Sequence, residues 1–201
     1  MKILIVPTIR EIYRNQFEYC VDIKLLNFLK KIFINSKIEI FNNSITEEYD
    51  LIVLSGGNSL FSKYEKNKIR NKINNQIYNF ALKNKIKILG ICLGAQFLAK
   101  KFEFKLKKNT CVIGNHKVFF NINKKKFTRN VNSYHNDSIN IKKISNINIF
   151  GITKDNMVEA FHIKNKKILG IMWHPERYSK IKKFDKELIK GFYASNRVIS
   201  W

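Results

Sequence analysis

The chain has 201 residues, 45% of them hydrophobic and 26% charged, a composition that excludes wholesale disorder and is long enough for a substantial core. Lys and Arg total 38 against 15 Asp and Glu, and the resulting net charge of +23 raises nucleic acid or a membrane surface as a partner. Only six of those cations are Arg, the residue whose planar fork suits phosphate, and Ile, Lys and Asn fill 88 of the 201 positions, so part of the lysine excess reads as compositional bias.

The N-terminal half alternates. Lys2–Val6 is a continuous apolar run, as expected of a strand buried on both faces. Broken by Pro7, it is too short for an export signal. Tyr19–Phe33 has apolar residues at helical spacing and predicts an amphipathic helix. Lys37–Phe41 and Tyr49–Leu54 predict two more strands, Lys66–Lys83 a second helix, and Ile86–Ile91 a fourth strand running into a short helix that ends near Ala99. Strands alternating with helices imply a parallel sheet covered on both faces. The C-terminal half reads differently: Val112–Phe120, Phe127–Val131, Asn148–Thr153, Met157–Lys164 and Lys167–Trp173 are strand-like, with turns at 154–156 and 164–167, and Ile181–Tyr193 closes the chain as a helix. Lys124–Lys126 reads as a solvated loop. The expected fold is α/β, an open and mostly parallel sheet flanked by helices, with antiparallel strands in the C-terminal half and residues 1–201 forming one domain. No run approaches 18 uncharged apolar residues, so no membrane span is expected. Cys20, Cys92 and Cys111 show neither a CxxC nor a zinc spacing, which fits a reduced, cytoplasmic chain without a metal.

Gly90-x-Cys92-x-Gly94 follows a predicted strand and opens a predicted helix. A nucleophile on so sharp a turn has a strained backbone and needs small neighbours. The turn lifts the sulfur clear of the sheet and sets it at a helix N-terminus, surroundings that favour thiolate. Read alone, the pattern also fits a buried cysteine in an ordinary turn. A nucleophilic Cys needs a base and an orienting group, and His174-Pro175-Glu176, at the end of a strand, offers both. Residues i and i+2 of an extended segment face the same side, so Glu176 is expected behind His174. After the third strand, Ser55-Gly56-Gly57 can aim a backbone N–H at the sheet edge, where with the N–H of Leu93 it would form an oxyanion hole.

Gly90–Gln96, Leu54–Gly57, Val131–Asn136 and Trp173–Glu176, in the family's order and spanning most of the chain, resemble the class I glutamine amidotransferase family. The resemblance implies Cys92 as nucleophile, His174 as base and acid, Glu176 as orienting carboxylate, and Gly57 and Leu93 as oxyanion donors. It also implies that Gln96, Ser133 and Tyr134 hold the amino-acid end of a γ-glutamyl group, through a γ-glutamyl thioester mechanism without a cofactor. The chain has no room for a synthase domain. It is therefore expected to be a stand-alone γ-glutamyl amide hydrolase, or a glutaminase subunit feeding ammonia to a separate synthase.

The first loop, Ile9–Asp22, and the Ser-Gly-Gly-Asn turn resemble the γ-glutamyl hydrolase branch, and the substrate this implies is γ-glutamyl-CDP-amidate, a step in capsule phosphoramidate chemistry. Val6-Pro7-Thr8 departs from the polar turn expected there. A diphosphate calls for cations outside the strands' carboxyl ends. Arg10 is the first candidate, with Arg177 and Lys117 nearby, although Arg10 reads equally as a solvated surface residue. His135 either contacts ligand or packs. A third reading, a basic nucleic-acid-binding domain without catalysis, predicts clustered Arg and exposed aromatics, whereas the lysines here are dispersed. Neither nucleic acid nor membrane is the expected partner.

Overall fold

The computed structural model describes residues 1–45, 48–108, 110–141 and 147–195. Strands β1 (Lys2–Val6), β2 (Thr8–Tyr13), β3 (Gln16–Cys20), helix α1 (Ile23–Ile32), β4 (Lys37–Ile40), β5 (Leu51–Leu54), α2 (Glu65–Lys83), β6 (Lys87–Ile91) and α3 (Leu93–Lys101) make the N-terminal half. They are followed by β7 (Leu106–Lys107), β8 (Val112–Ile122), β9 (Lys125–His135), β10 (Ser138–Asn140), β11 (Asn148–Ile152), β12 (Met157–Ile163), β13 (Ile168–Ile171) and α4 (Lys183–Ser195).

The main sheet runs β4-β1-β5-β6-β13-β12-β11-β8-β9. β4, β1, β5, β6 and β13 pair in parallel, whereas β12, β11, β8 and β9 continue antiparallel. The central parallel strands β5 and β13 are apolar throughout, and β1 and β6 are apolar after their opening Lys, because both faces are covered, whereas β4 at the edge carries Lys37 and Glu39. Ile3, Ile5, Leu51, Val53, Leu89 and Ile91 point to a core shared with α1 and α4. Their neighbours Leu4, Val6, Ile52, Leu54 and Ile88 point to a second core under α2 and α3. Each such side chain contributes about 1.5–3 kcal/mol by leaving water. Stacked and edge-on rings of Phe120, Phe127, Trp173 and Phe184 carry the first core out under the antiparallel strands.

Several local expectations are corrected. Residues Thr8–Cys20 form a two-stranded hairpin, not a loop leading into a helix at Tyr19. Asn15 turns it with φ 58°, and Asp22, whose carboxylate accepts the Lys24 N–H at 2.9 Å, fixes the start of α1 at Ile23. Cys20 therefore ends a strand. Lys124–Lys126 is not a loop: Asn123 and Lys124, with φ 49° and 69°, make a tight turn, and Lys125 already belongs to β9. Phe119, Phe120 and Phe161 read from the sequence as core residues; Phe120 and Phe161 are, while Phe119 is 40% exposed. Among the described residues, no helix is long and apolar enough to cross a membrane.

Candidate active site

β1, β5, β6 and β13 all end on one edge of the sheet, where an open α/β sheet places its ligand. β6 stops at Ile91, and Cys92 takes φ 51° and ψ −106° as the residue that caps α3. Its N–H donates to Ile171 O at 2.8 Å and its carbonyl accepts the Gln96 N–H at 2.9 Å. The flanking glycines have identifiable causes. A Cβ on Gly94 would stand 2.1 Å from the Leu54 carbonyl oxygen, and one on Gly90 would stand 2.6 Å from Leu98 Cδ1.

After β13, the His174 N–H donates to both Asn132 O (3.1 Å) and Asn132 Oδ1 (3.0 Å), tying the segment to β9. Trp173 is anchored through its indole N–H to Asp185 Oδ1 at 2.9 Å. Pro175–Arg177 then forms a short 3-10 turn. Glu176 thus reaches His174 by a helical turn and not along an extended strand, because Pro175 opens the turn directly after His174. The His174 Nδ1–H donates to Glu176 Oε1 at 2.6 Å, and both side chains are buried. The imidazole lies beside Cys92, the two side chains packing together against Gly56. Burial pulls the His174 pKa down, but Cys92 and Glu176 outweigh it and lift the pKa to about 9. The carboxylate thus favours the imidazolium form of the ring.

Gly56 lies flat against this pair: a Cβ there would meet His174 Cε1 at 2.7 Å and Cys92 Cβ at 3.3 Å. Gly57 follows with φ +85°, a conformation that favours glycine.

The other expected residues are spread unevenly. Tyr134 sits over the site, its ring centroid 5.9 Å from the His174 ring and its carbonyl oxygen 3.9 Å from Cys92 Sγ. Gln96 is buried under the site and donates its amide to Asp137 O at 2.8 Å. The Ser133 side chain is fully buried, so what it offers outward is backbone. His135 points inward: its Nε2 lies 3.6 Å from Glu159 Oε1, and His116 Nε2 approaches the same oxygen at 3.5 Å. Burial works to raise the Glu159 pKa, yet the two imidazoles bring it below the usual carboxylate value. Arg10 lies on the exposed β2–β3 hairpin, paired across it with Glu18 at 3.7 Å. Arg177 is closer to the site, its guanidinium 4.9 Å from the Tyr134 ring centroid and within 4 Å of Asp22 and Glu176. Lys117 is exposed on β8.

Sequence reasoning overlooked Glu159 and Asn132. A lone carboxylate within the apolar run Val158–Ile163 was a visible signal for the first. Nothing in the sequence signalled that Asn132 would hold His174.

The family model described as "Glutamine amidotransferase class-I" matches residues 15–195. A γ-glutamyl-CDP-amidate hydrolase from Campylobacter jejuni is 41% identical over 128 residues, which are 63% of this chain and 62% of that protein. One subunit of a glutamine-hydrolysing GMP synthase from Picrophilus torridus is 30% identical over 142 residues, 66% of this chain and 70% of that one. Among solved structures, a glutamine amidotransferase from Thermotoga maritima superposes with a TM-score of 0.66 at 21% identity, covering 94% of this chain and 84% of that one, a likeness of fold. The chain spans less than two thirds of the Campylobacter protein's length.

Proposed function

The chain belongs to the class I glutamine amidotransferase family, and from that membership we propose that it is a cysteine hydrolase of γ-glutamyl amides. The carrying observation is the His174 imidazole, bound to Glu176 at 2.6 Å and packed beside Cys92 against Gly56.

In this reading the Cys92 thiolate adds to the γ-carbonyl carbon, and the carbonyl π pair moves to oxygen. The N–H groups of Gly57 and Leu93 receive that oxyanion. Its collapse restores the carbonyl and breaks the C–N bond. The nitrogen leaves with the proton of the His174 imidazolium, and a γ-glutamyl thioester remains on Cys92. Neutral His174 then takes a proton from water as the oxygen attacks the thioester. The C–S bond breaks, glutamate departs, and the thiolate–imidazolium pair is restored. Glu176 keeps the ring oriented throughout. Tyr134, Gln96 and the backbone of Ser133 line the place for the amino-acid end.

The proposed substrate is γ-glutamyl-CDP-amidate, which would be cleaved to glutamate and cytidine diphosphoramidate. The relation to the Campylobacter hydrolase supports it, and Arg177 and Arg10 offer cations for the diphosphate. A second reading, a glutaminase subunit serving a separate synthase, is favoured by the relation to the Picrophilus GMP synthase. Screening γ-glutamyl amides with glutamate as readout separates the two. The hydrolase reading expects turnover by the purified chain alone, fastest with the nucleotide-linked amide. Turnover that appears only when a synthase is added overturns it in favour of the second.

A further inference from the structure

Arg70 is a fully buried cation on α2, and among the described residues it forms no ion pair with a carboxylate. A buried charge of this kind needs strong compensating hydrogen bonds. Here they go to the backbone at the sheet edge. Nη1 donates to Val6 O at 2.9 Å, and Nη2 donates to Ser55 O at 3.0 Å and to Ser55 Oγ at 3.3 Å. Ser55 Oγ–H in turn donates to Val6 O at 2.6 Å. The fork therefore joins the ends of β1 and β5 just where the chain enters Gly56-Gly57.

The next peptide is held by Thr8. Its hydroxyl donates to Gly56 O at 2.9 Å, and its side chain fills the space beside Gly57, where a Cβ would meet Thr8 Oγ1 at 2.8 Å. A peptide group is planar and trans, so its C=O and N–H point in opposite directions. Fixing the Gly56 carbonyl therefore fixes the direction of the Gly57 N–H. Fixing the Ser55 carbonyl does the same for the preceding plane, which carries Gly56 against His174 and Cys92. Asn58 closes the frame, its side chain accepting the Ile9 N–H and donating to Ile9 O, both at 2.9 Å.

The geometry points to Thr8 and Arg70 as positioning residues that hold two successive carbonyls and thereby aim the Gly57 N–H at the site of the oxyanion. This inference rests on the proposed amide-hydrolase reading. Neither residue touches the reacting atoms. Their contribution belongs to the chemical step and not to substrate binding, because the oxyanion develops only as the thiolate adds. The hydroxyl's acceptor also makes it more than packing: a hydrogen-bonded carbonyl polarises the N–H of its own peptide.

The test is Thr8→Val, nearly isosteric but without the hydroxyl, with Thr8→Ser as the variant that restores it. Misplacing a donor by a fraction of an ångström is expected to lower kcat roughly 10–100-fold. KM for the γ-glutamyl amide should stay within about twofold, and Thr8→Ser should recover most of the rate. Alkylation of Cys92 by iodoacetamide needs no oxyanion hole, so its rate should match wild type in both variants. Arg70→Lys keeps a cation but loses the fork, and the same split between kcat and alkylation is expected there. An active wild type with an equally active Thr8→Val overturns the inference. So does a fall in kcat matched by a fall in alkylation, which would locate the damage at the Cys92–His174 pair. A wild type that releases glutamate from no γ-glutamyl amide would instead overturn the functional reading, and this inference with it.

Discussion

His174 sets the pH behaviour of the site. Burial alone would make it a weaker base, but Cys92 and Glu176 raise its pKa to about 9. In the proposed mechanism the proton for the leaving nitrogen comes from this ring, so kcat should fall on the alkaline side with a midpoint near that value. Glu176→Gln removes one of the raising influences, so the alkaline limb should shift to lower pH; a limb that stays put would show that Glu176 does not act on the ring. The same shift has a consequence for stability. With a folded pKa above the unfolded value of 6.5, the charged ring's contribution is complete below about 6.5 and is lost as pH rises through about 9. The Tm difference between wild type and Glu176→Gln should narrow over that window. At the elbow, Gly94→Ala drives a methyl toward the Leu54 carbonyl oxygen. A destabilisation of about 1–3 kcal/mol is expected in urea unfolding, together with loss of activity. The glycines, the cysteine and the His-Pro-Glu run could be read from the sequence because each answers a local steric or chemical demand. The roles of Thr8 and Arg70 could not, since the groups they hold are backbone carbonyls elsewhere in the chain, 48 residues from Thr8 and 15 and 64 from Arg70.

Among the elements, the parallel strands and covering helices were legible because their periodicity is unambiguous: β5 is apolar throughout and β1 after its opening Lys, and α1 and α4 each present one apolar stripe. The β2–β3 hairpin was not. Tyr19 and Cys20 continue the apolar spacing of α1 backwards, and only the Asp22 cap separates strand from helix. Asp22→Ala should destabilise the chain by about 1 kcal/mol through the lost cap, measurable as a lower Tm. Because Asp22 also pairs with Arg177 at 3.8 Å, the variant should loosen Arg177 over Tyr134. A rise in KM for a nucleotide-linked substrate would report that loosening, and an unchanged KM would detach Arg177 from substrate binding. The β7 and β10 strands, two and three residues long, carry too little pattern to be read from sequence.

At the scale of the whole molecule, the net charge of +23 first suggested a polyanion. Under the proposed function the anion is instead a small one, the diphosphate of the substrate. The guanidinium nearest the site belongs to Arg177, while Arg10 stands exposed on the hairpin and is already engaged with Glu18. Arg177→Ala should raise KM for a nucleotide-linked γ-glutamyl amide several-fold while leaving that for glutamine unchanged; Arg10→Ala should do so less. Equal KM values in all three proteins would remove the phosphate-binding role from both. The central claim, that glutamate is released through a Cys92 thioester, is tested most directly by acid-quenching the protein during turnover of a γ-glutamyl amide and measuring its intact mass. The account predicts a γ-glutamyl adduct on Cys92 in wild type, and neither adduct nor glutamate release in Cys92→Ala. Glutamate release sustained by Cys92→Ala would contradict it.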